Sequence, residues 1–423
     1  MPTTPSFASL RREIAGVPVV DLARRFGTPT FVYDAAKIVE RLSDLRRFDV
    51  VRYAQKAASN LAILDLARRH GALVDAVSAH EIRRAFAAGY PAQGDPPPVV
   101  YTADIFDADA LDLVVRENVH VNCGSPDMID QYGSLAPGRA ITLRINPGFG
   151  HGHSRKTNTG GECSKHGIWH EQLSECLVTA EHYGLSVVGI HVHIGSGTDL
   201  EHLSQVCGAL EKAALEAGRN VQSISVGGGL PVPYREDQSY VDLDEYFRRC
   251  DAARRRLESH FGHPVRLEIE PGRYLVAESG YLIAEIRAVK KQGANTFYLV
   301  DAGFNNLARP ILYGAYHPIA IAPADGHCDR PEIDAIVGGP LCESGDIFTQ
   351  EEGGFVARRR LPLAAVGDYL VIECAGAYGF VMGSNYNSKP LAAEVLLQDG
   401  QPHLVRRRQT FDDLIRGEFI PTP

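Results

Sequence analysis

The chain has 423 residues, 44% hydrophobic and 22% charged, which is enough apolar material for a substantial core and the texture of an ordinary globular protein. Its net charge of -9 offers no electrostatic case for nucleic acid or an anionic membrane, and the local run Arg406, Arg407, Arg408 reads as a solvated strand end. No run approaches the roughly 20 apolar residues of a membrane span, and the N-terminal stretch has no continuous apolar h-region, so a cytoplasmic enzyme is expected.

From Val50 onward, short apolar runs alternate with segments of helical period. The strand candidates are VVRYA, ALVDAV, PVVYT, VHVN, AITLRIN, SVVGIHVH, QSISVG and RLEIE. Between them lie helical stretches such as NLAILDLARRHG, with Leu61, Leu64, Leu66 and Ala67 on one stripe and Gly71 as the stop. Strands joined by helices in this way predict an α/β fold, a (β/α)8 TIM-like barrel over residues 30–290. After about residue 280 the pattern changes to YLIAEIRAV, TFYLVDAG, DYLVIECAG and EVLLQDGQPHLVRR, with Asp399-Gly400 as a hairpin signal. Residues 1–29 and 291–423 are therefore expected to form a second, all-β domain. The eight cysteines contain no CxxC pair or zinc-ligand spacing, and most are expected to be small buried residues.

A barrel of this kind carries its chemistry on the loops after its strands, often with a phosphate after strands seven and eight. Strand seven runs into Gly227, Gly228 and Gly229, and strand eight into EPGR, residues 270 to 273. Consecutive glycines let backbone N–H groups approach an anion, and Arg273 adds a two-pronged donor. Lys56, after the first strand, lies on the same rim. The bland reading of a lone lysine is a stem on apolar surface with its head in water. The sharper one is an amine that forms a Schiff base. Lysine and phosphate pocket together point to pyridoxal 5'-phosphate, whose ring needs an acidic partner at its nitrogen, and Glu270 is the candidate. In HVHIGSG, His193 can lie flat on such a ring and Ser196 can donate to phosphate. A competing reading pairs His191 and His193 as metal ligands with Asp75, although no complete ligand set converges there.

The series YAQKA, HVHIGSG, VGGGL, EPGR, DAGFNNLARPILYGAYH, GPLCESGD and GAYGFVMGSNYNSKP resembles the diaminopimelate decarboxylase family, among the barrel-type pyridoxal phosphate decarboxylases. NPGFGHGHSRKTNTGGECSKHGI resembles its bacterial members. The resemblance spans almost the whole chain. It implies that the second domain is a β-sandwich, and that the chain decarboxylates meso-diaminopimelate to L-lysine in lysine biosynthesis as a homodimer with shared active sites.

Carried over by motif, the resemblance makes Lys56 the covalent cofactor lysine, His193 the stacking residue and Glu270 the partner of the ring nitrogen. Ser196, Gly228, Gly229, Arg273 and Tyr378 would hold phosphate, with Arg273 and Tyr378 also near substrate. Cys342 of CESGD would be the catalytic cysteine, contributed by the neighbouring subunit. The distal end of the substrate carries a carboxylate, suited to Arg309 and Tyr313, and an ammonium, suited to Glu343. An ornithine, lysine or arginine decarboxylase of polyamine or specialised metabolism is the alternative, and a catalytically silent relative is a third. Asn306, His166, Gly383 and Lys389 depart from the usual aspartate, phenylalanine, serine and arginine.

Overall fold

In the computed structural model, residues 4–151, 158–196 and 198–421 are described. Gly197 of HVHIGSG and residues 152–157 of the NPGFGHGHSRKT stretch lie outside them. The chain separates into two compact units, one of residues 39–232 and 240–275, the other of residues 4–38, 233–239 and from 276 onward.

The first unit is the barrel. All eight anticipated strands form: β1 (Val50–Ala54), β2 (Leu73–Ala76), β3 (Val99–Ala103), β4 (His120–Cys123), β5 (Ala140–Asn146), β6 (Ser186–Val192), β7 (Ser223–Ser225) and β8 (Arg266–Ile269). Each pairs in parallel with the next. Glu268 and Ile269 of β8 return to Val50 and Val51 of β1, so the sheet closes on itself. A two-residue strand, Ile168–Trp169, joins beside β5 and has no sequence signal long enough to find it.

Helices follow the strands as α1 (Leu61–Arg69), α2 (Ala79–Ala87), α3 (Ala108–Glu117), α4 (Pro126–Leu135), α5 (Leu173–His182), α6 (Leu200–Ala217) and α7 (Leu243–Phe261). Asn60, Ser78, Asp107, Asp199 and Asp242 each cap one of them, accepting a first-turn backbone N–H on a side-chain oxygen. These caps fix where each of those helices starts. Leu61, expected on the apolar stripe of α1, is instead exposed in its first turn, and Ile63 is buried in its place. Near the base of the barrel Arg52 and Glu268 form a buried ion pair at 2.7 Å, and Arg52 also donates to the Pro97 carbonyl.

The second unit is a mixed β structure and forms the expected sandwich. Its organising strand, Gly280–Gln292, pairs with Thr30–Asp34 and Tyr369–Ile372 through its first half and with Asn295–Val300 through its second. The 30–290 range expected for the barrel thus encloses two strands, Thr30–Asp34 and Gly280–Gln292, that hydrogen-bond in this second sheet. Ala393–Gln398 pairs in parallel with Thr30–Asp34 and in antiparallel with Gln401–Arg406. The latter turn is made by Asp399 and Gly400, both at positive φ (53° and 72°), as a two-residue hairpin of type I′ requires. Ile14, Val19, Leu22 and Val32 from the chain start pack with Ile283, Val371, Val395 and Leu397 in its core. The basic run is not simply solvated, because Arg406 pairs with buried Glu394, Arg407 with Asp413, and Arg408 donates to Thr30 Oγ1 at 3.2 Å.

Candidate active site

At the C-terminal mouth of the barrel, Lys56 sits in a single 3-10 turn, Gln55–Ala57, immediately after β1. Its neighbours Gln55 and Ala57 are buried while Lys56 itself is exposed, so its stem rises from a fixed base into the mouth. Tyr53 pins that base by donating to the Ala58 carbonyl at 2.8 Å, and Gln55 Nε2 donates to the Glu81 carbonyl at 3.1 Å.

Two carboxyl groups lie in the field of Lys56. Asp75, at the end of β2, is pushed up to about 6, first by burial and then by the nearby Glu270 carboxylate, with Lys56 pulling the other way. Its Oδ1 has no hydrogen-bond partner among the described residues. Glu81 is raised by burial to about 7, although the Val77 N–H donates to its Oε2 at 2.8 Å. Sequence reasoning found Asp75 only as a possible metal ligand and missed Glu81. The available signal was Ser78-x-x-Glu81, which reads as a helix cap, and Ser78 does cap α2 through the Glu81 N–H.

Glu270 follows β8 and is buried. Its Oε1 accepts from Ser225 Oγ at 2.7 Å, and its Oε2 lies 3.1 Å from His191 Nε2. Burial would raise this carboxyl, but His191, Ser225 and Arg52 outweigh it and hold the group below the usual carboxylate range. His191 is thereby turned toward Glu270 and away from the HxH metal arrangement considered above. His193, just beyond β6, is half-buried with its Nδ1 unpartnered among the described residues. Burial, followed by the cations Arg144 and Lys56, pushes its pKa well below the ordinary histidine value, which keeps the ring neutral.

The glycines after β7 explain themselves by contact. A Cβ on Gly228 would stand 2.6 Å from the Glu270 carbonyl, and one on Gly229, at φ +100°, 2.8 Å from the Gly195 carbonyl. Only bare backbone fits between the strand ends carrying His193 and Glu270, which leaves N–H groups at the rim. Arg273 completes this side, donating to Ser196 Oγ from Nε at 3.1 Å and from Nη2 at 3.0 Å. The structure therefore brings Lys56, His193, Ser196, Gly228, Gly229, Glu270 and Arg273 to one mouth. The glycine cradle and the accessible amine fit a phosphate-bearing aldehyde.

The remaining candidates belong to the second unit. Arg309 is buried at the start of a short helix, Arg309–Tyr313, with Tyr313 half-buried at its end. Arg309 Nε donates to His317 Nε2 at 3.2 Å, and His317 Nδ1 donates to the Glu373 carbonyl at 3.0 Å. The guanidinium also stacks on Tyr234 at 5.4 Å. His317 and Tyr234 were absent from the sequence-level site: His317, eight residues on at the end of the same motif, gives no sign of facing Arg309, and Tyr234 lies far off in sequence. Cys342 and Glu343 are exposed on a turn fixed by the Cys342 N–H to Asn387 Oδ1 bond, and Tyr378 holds a left-handed backbone at φ +56°.

The four departures from the family pattern differ in how they are satisfied. His166 Nδ1 meets Asp104 Oδ2 at 2.5 Å. Asn306 Oδ1 accepts from the Gly303 N–H, but its buried Nδ2, the group an aspartate would lack, has no hydrogen-bond partner among the described residues; a Cβ on Gly383 would press on Phe380 and Asn305 carbonyls. Lys389 is half-buried and its carbonyl accepts from Asn385 Nδ2 at 2.9 Å.

Residues 35–277 match the family described as pyridoxal-dependent decarboxylase, pyridoxal binding domain. The diaminopimelate decarboxylase of Escherichia coli K12 is 51% identical over 98% of this chain and 99% of its own length. That of Streptomyces coelicolor is 53% identical over 100% of this chain and 97% of its own. This chain belongs to the diaminopimelate decarboxylase family. A crystal structure of a diaminopimelate decarboxylase superposes with a TM-score of 0.91 at 53% identity, covering 94% of this chain and 95% of that one. Family membership accounts for both the closed barrel and the sandwich, since the likeness runs through both units. Among the described residues no helix is long and apolar enough to cross a membrane.

Proposed function

We propose that the chain is a pyridoxal 5'-phosphate-dependent decarboxylase that converts meso-diaminopimelate to L-lysine and carbon dioxide, working in the cytoplasm as a homodimer. The observation that carries the reading is the convergence of an accessible lysine, an ionised buried glutamate and an arginine–serine pair on one barrel mouth. When bound, pyridoxal phosphate supplies a carbonyl that joins amines and a cationic ring that takes up the electron pair left by carbon dioxide.

The chain's own residues would do the rest. Lys56 offers the amine that holds the cofactor and yields to the substrate amine. Glu270, kept ionised by Ser225 and His191, holds a proton on the ring nitrogen, and a neutral aromatic His193 gives that ring a flat support. Arg273, Ser196, Tyr378 and the Gly228 and Gly229 N–H groups bind phosphate. Asp75 and Glu81 exchange protons near pH 6 to 7, the range in which a group beside the lysine can take and return one.

Substrate choice rests on the far end of the molecule. Arg309, aimed by His317, with Tyr313 would receive the distal carboxylate, while Glu343 pairs with the distal ammonium, so the L-centre is held and the D-centre reacts. Arg273 and Tyr378 would also border the reacting end. Cys342 and Glu343, exposed on their turn, are suited to reach the partner subunit's site, where Cys342 donates the proton that replaces carbon dioxide. A lysine, ornithine or arginine decarboxylase would meet no distal carboxylate and would gain nothing from a buried Arg309.

Borohydride reduction with added pyridoxal phosphate, followed by peptide mass mapping, tests the first step. One cofactor fixed to Lys56 is expected, and none in Lys56→Ala; attachment elsewhere, or full turnover by the variant, would sink the proposal.

A further inference from the structure

Beside the barrel mouth, three metal-ligating side chains meet for which the decarboxylation chemistry has no use. Asp199 caps α6, His202 lies one turn later on the same helix, and His151 comes from the segment after β5. His202 Nδ1 stands 2.9 and 2.8 Å from the two Asp199 oxygens. His151 Nδ1 lies 3.6 Å from Asp199 Oδ2. The two imidazoles stack with centroids 3.8 Å apart and planes 13° apart, so both Nδ1 atoms face the same carboxylate, and all three ligand atoms lie within 4.8 Å of one another.

We propose that His151, Asp199 and His202 form a binding site for a divalent transition ion of the zinc type. Bonds of about 2.0–2.1 Å in a tetrahedron put neighbouring ligand atoms about 3.3 Å apart. The observed 2.8 and 3.6 Å bracket that edge, and because each Nδ1 lone pair lies in its ring plane, the two imidazoles would turn out of their stack to converge on an ion. A second observation points the same way. His151 Nδ1 is shielded from solvent and has no hydrogen-bond partner among the described residues, which leaves a lone pair or an N–H unsatisfied beside a carboxylate. The pocket is open enough for entry, since the side chains of His151, Asp199 and His202 retain 37%, 52% and 36% exposure. Two nitrogens and one oxygen leave a fourth position for water, and this ligand set favours zinc over magnesium or calcium.

The site would tie together two segments that carry candidate cofactor residues. The His151 N–H donates to the Ile194 carbonyl at 3.0 Å, and Thr198 Oγ1 donates to the His151 carbonyl at 3.0 Å. Thr159, beyond the same segment, donates to the carbonyls of Ile194 and His193. An ion at His151 and α6 therefore clamps the stretch from His193 to Thr198 from outside, without touching the cofactor mouth itself.

Calorimetric titration of the chelator-treated, pyridoxal phosphate-loaded enzyme with Zn2+ tests the site, paired with Co2+ absorption spectra. One ion per chain is expected, with intense tetrahedral d–d bands and no thiolate-to-metal charge transfer. His202→Gln and Asp199→Asn should each weaken binding by at least about 100-fold, since changes merely outside a ligand shell already cost 10- to 100-fold. Asn still caps a helix, so α6 survives the second change, and circular dichroism checks it. No stoichiometric binding, binding that survives both ligand substitutions, or a thiolate band would overturn the assignment.

Discussion

Glu270→Gln is the substitution whose consequence can be worked furthest from the structure. Glutamine keeps the volume and an acceptor for Ser225 Oγ, now at 2.7 Å, but removes the charge that His191 faces at 3.1 Å. The loss is then one charge-assisted interaction with a protonated ring nitrogen, worth about 1.5–3 kcal/mol. At about 1.4 kcal/mol per decade, kcat should fall roughly 10- to 150-fold. Cofactor affinity should change less, because Arg273, Ser196 and the glycine N–H groups on the phosphate are untouched. A second readout is electrostatic. Asp75 owes part of its raised pKa to the Glu270 charge, so its titration, followed by carboxyl-carbon NMR, should move down from about 6 in the variant. Carbon dioxide release at saturating cofactor measures kcat, with circular dichroism to confirm folding. A folded variant with kcat within twofold of the parent and an unmoved Asp75 would refute the role of Glu270.

Arg309→Lys keeps a charge but loses the planar fork that His317 aims. Its kcat/KM for meso-diaminopimelate should drop about 10- to 100-fold, mostly in KM, while any residual turnover of ornithine is unchanged; equal loss for both substrates would count against a carboxylate contact. Glu81→Gln tests the buried carboxyls through stability. Glu81 has a folded pKa of about 7 against an ordinary 4.5, so the native state binds the extra proton and stability falls as pH rises between those values. The variant should lose that slope and gain up to about 3 kcal/mol over the parent above pH 7 in urea melts; parallel pH profiles for both proteins would contradict it.

Much of the fold was legible because the barrel strands are short apolar runs alternating with helices, five of which are announced by a cap residue such as Asn60 or Asp107. The second unit was harder. Ile319–Ala322, Glu332–Gly338 and Arg359–Pro362 are brief strands whose partners lie far off in sequence, so no local period announces them. Thr30–Asp34 was misleading for a different reason, since a strand followed directly by the Ala35–Asp44 helix imitates a barrel unit while its hydrogen bonds go to Gly280–Ile283 and Ala393–Leu397. At the site, the glycines, Lys56, Glu270 and Arg273 were readable because each sits at a strand end and has a chemical reason to be there. The residues that orient them were not: Ser225, His191 and His317 look like ordinary polar residues until folding places them against Glu270 and Arg309. Glu81 was hidden by a legitimate second role as a capping residue.

Substrate choice is the property that one assay reads most directly. Carbon dioxide release by the purified chain with added pyridoxal phosphate is measured with meso-, L,L- and D,D-diaminopimelate beside lysine, ornithine and arginine. Rapid release from the meso isomer with L-lysine as product is expected, and little from the amines that lack a distal carboxylate. Faster release from lysine, ornithine or arginine than from meso-diaminopimelate would contradict the proposed function.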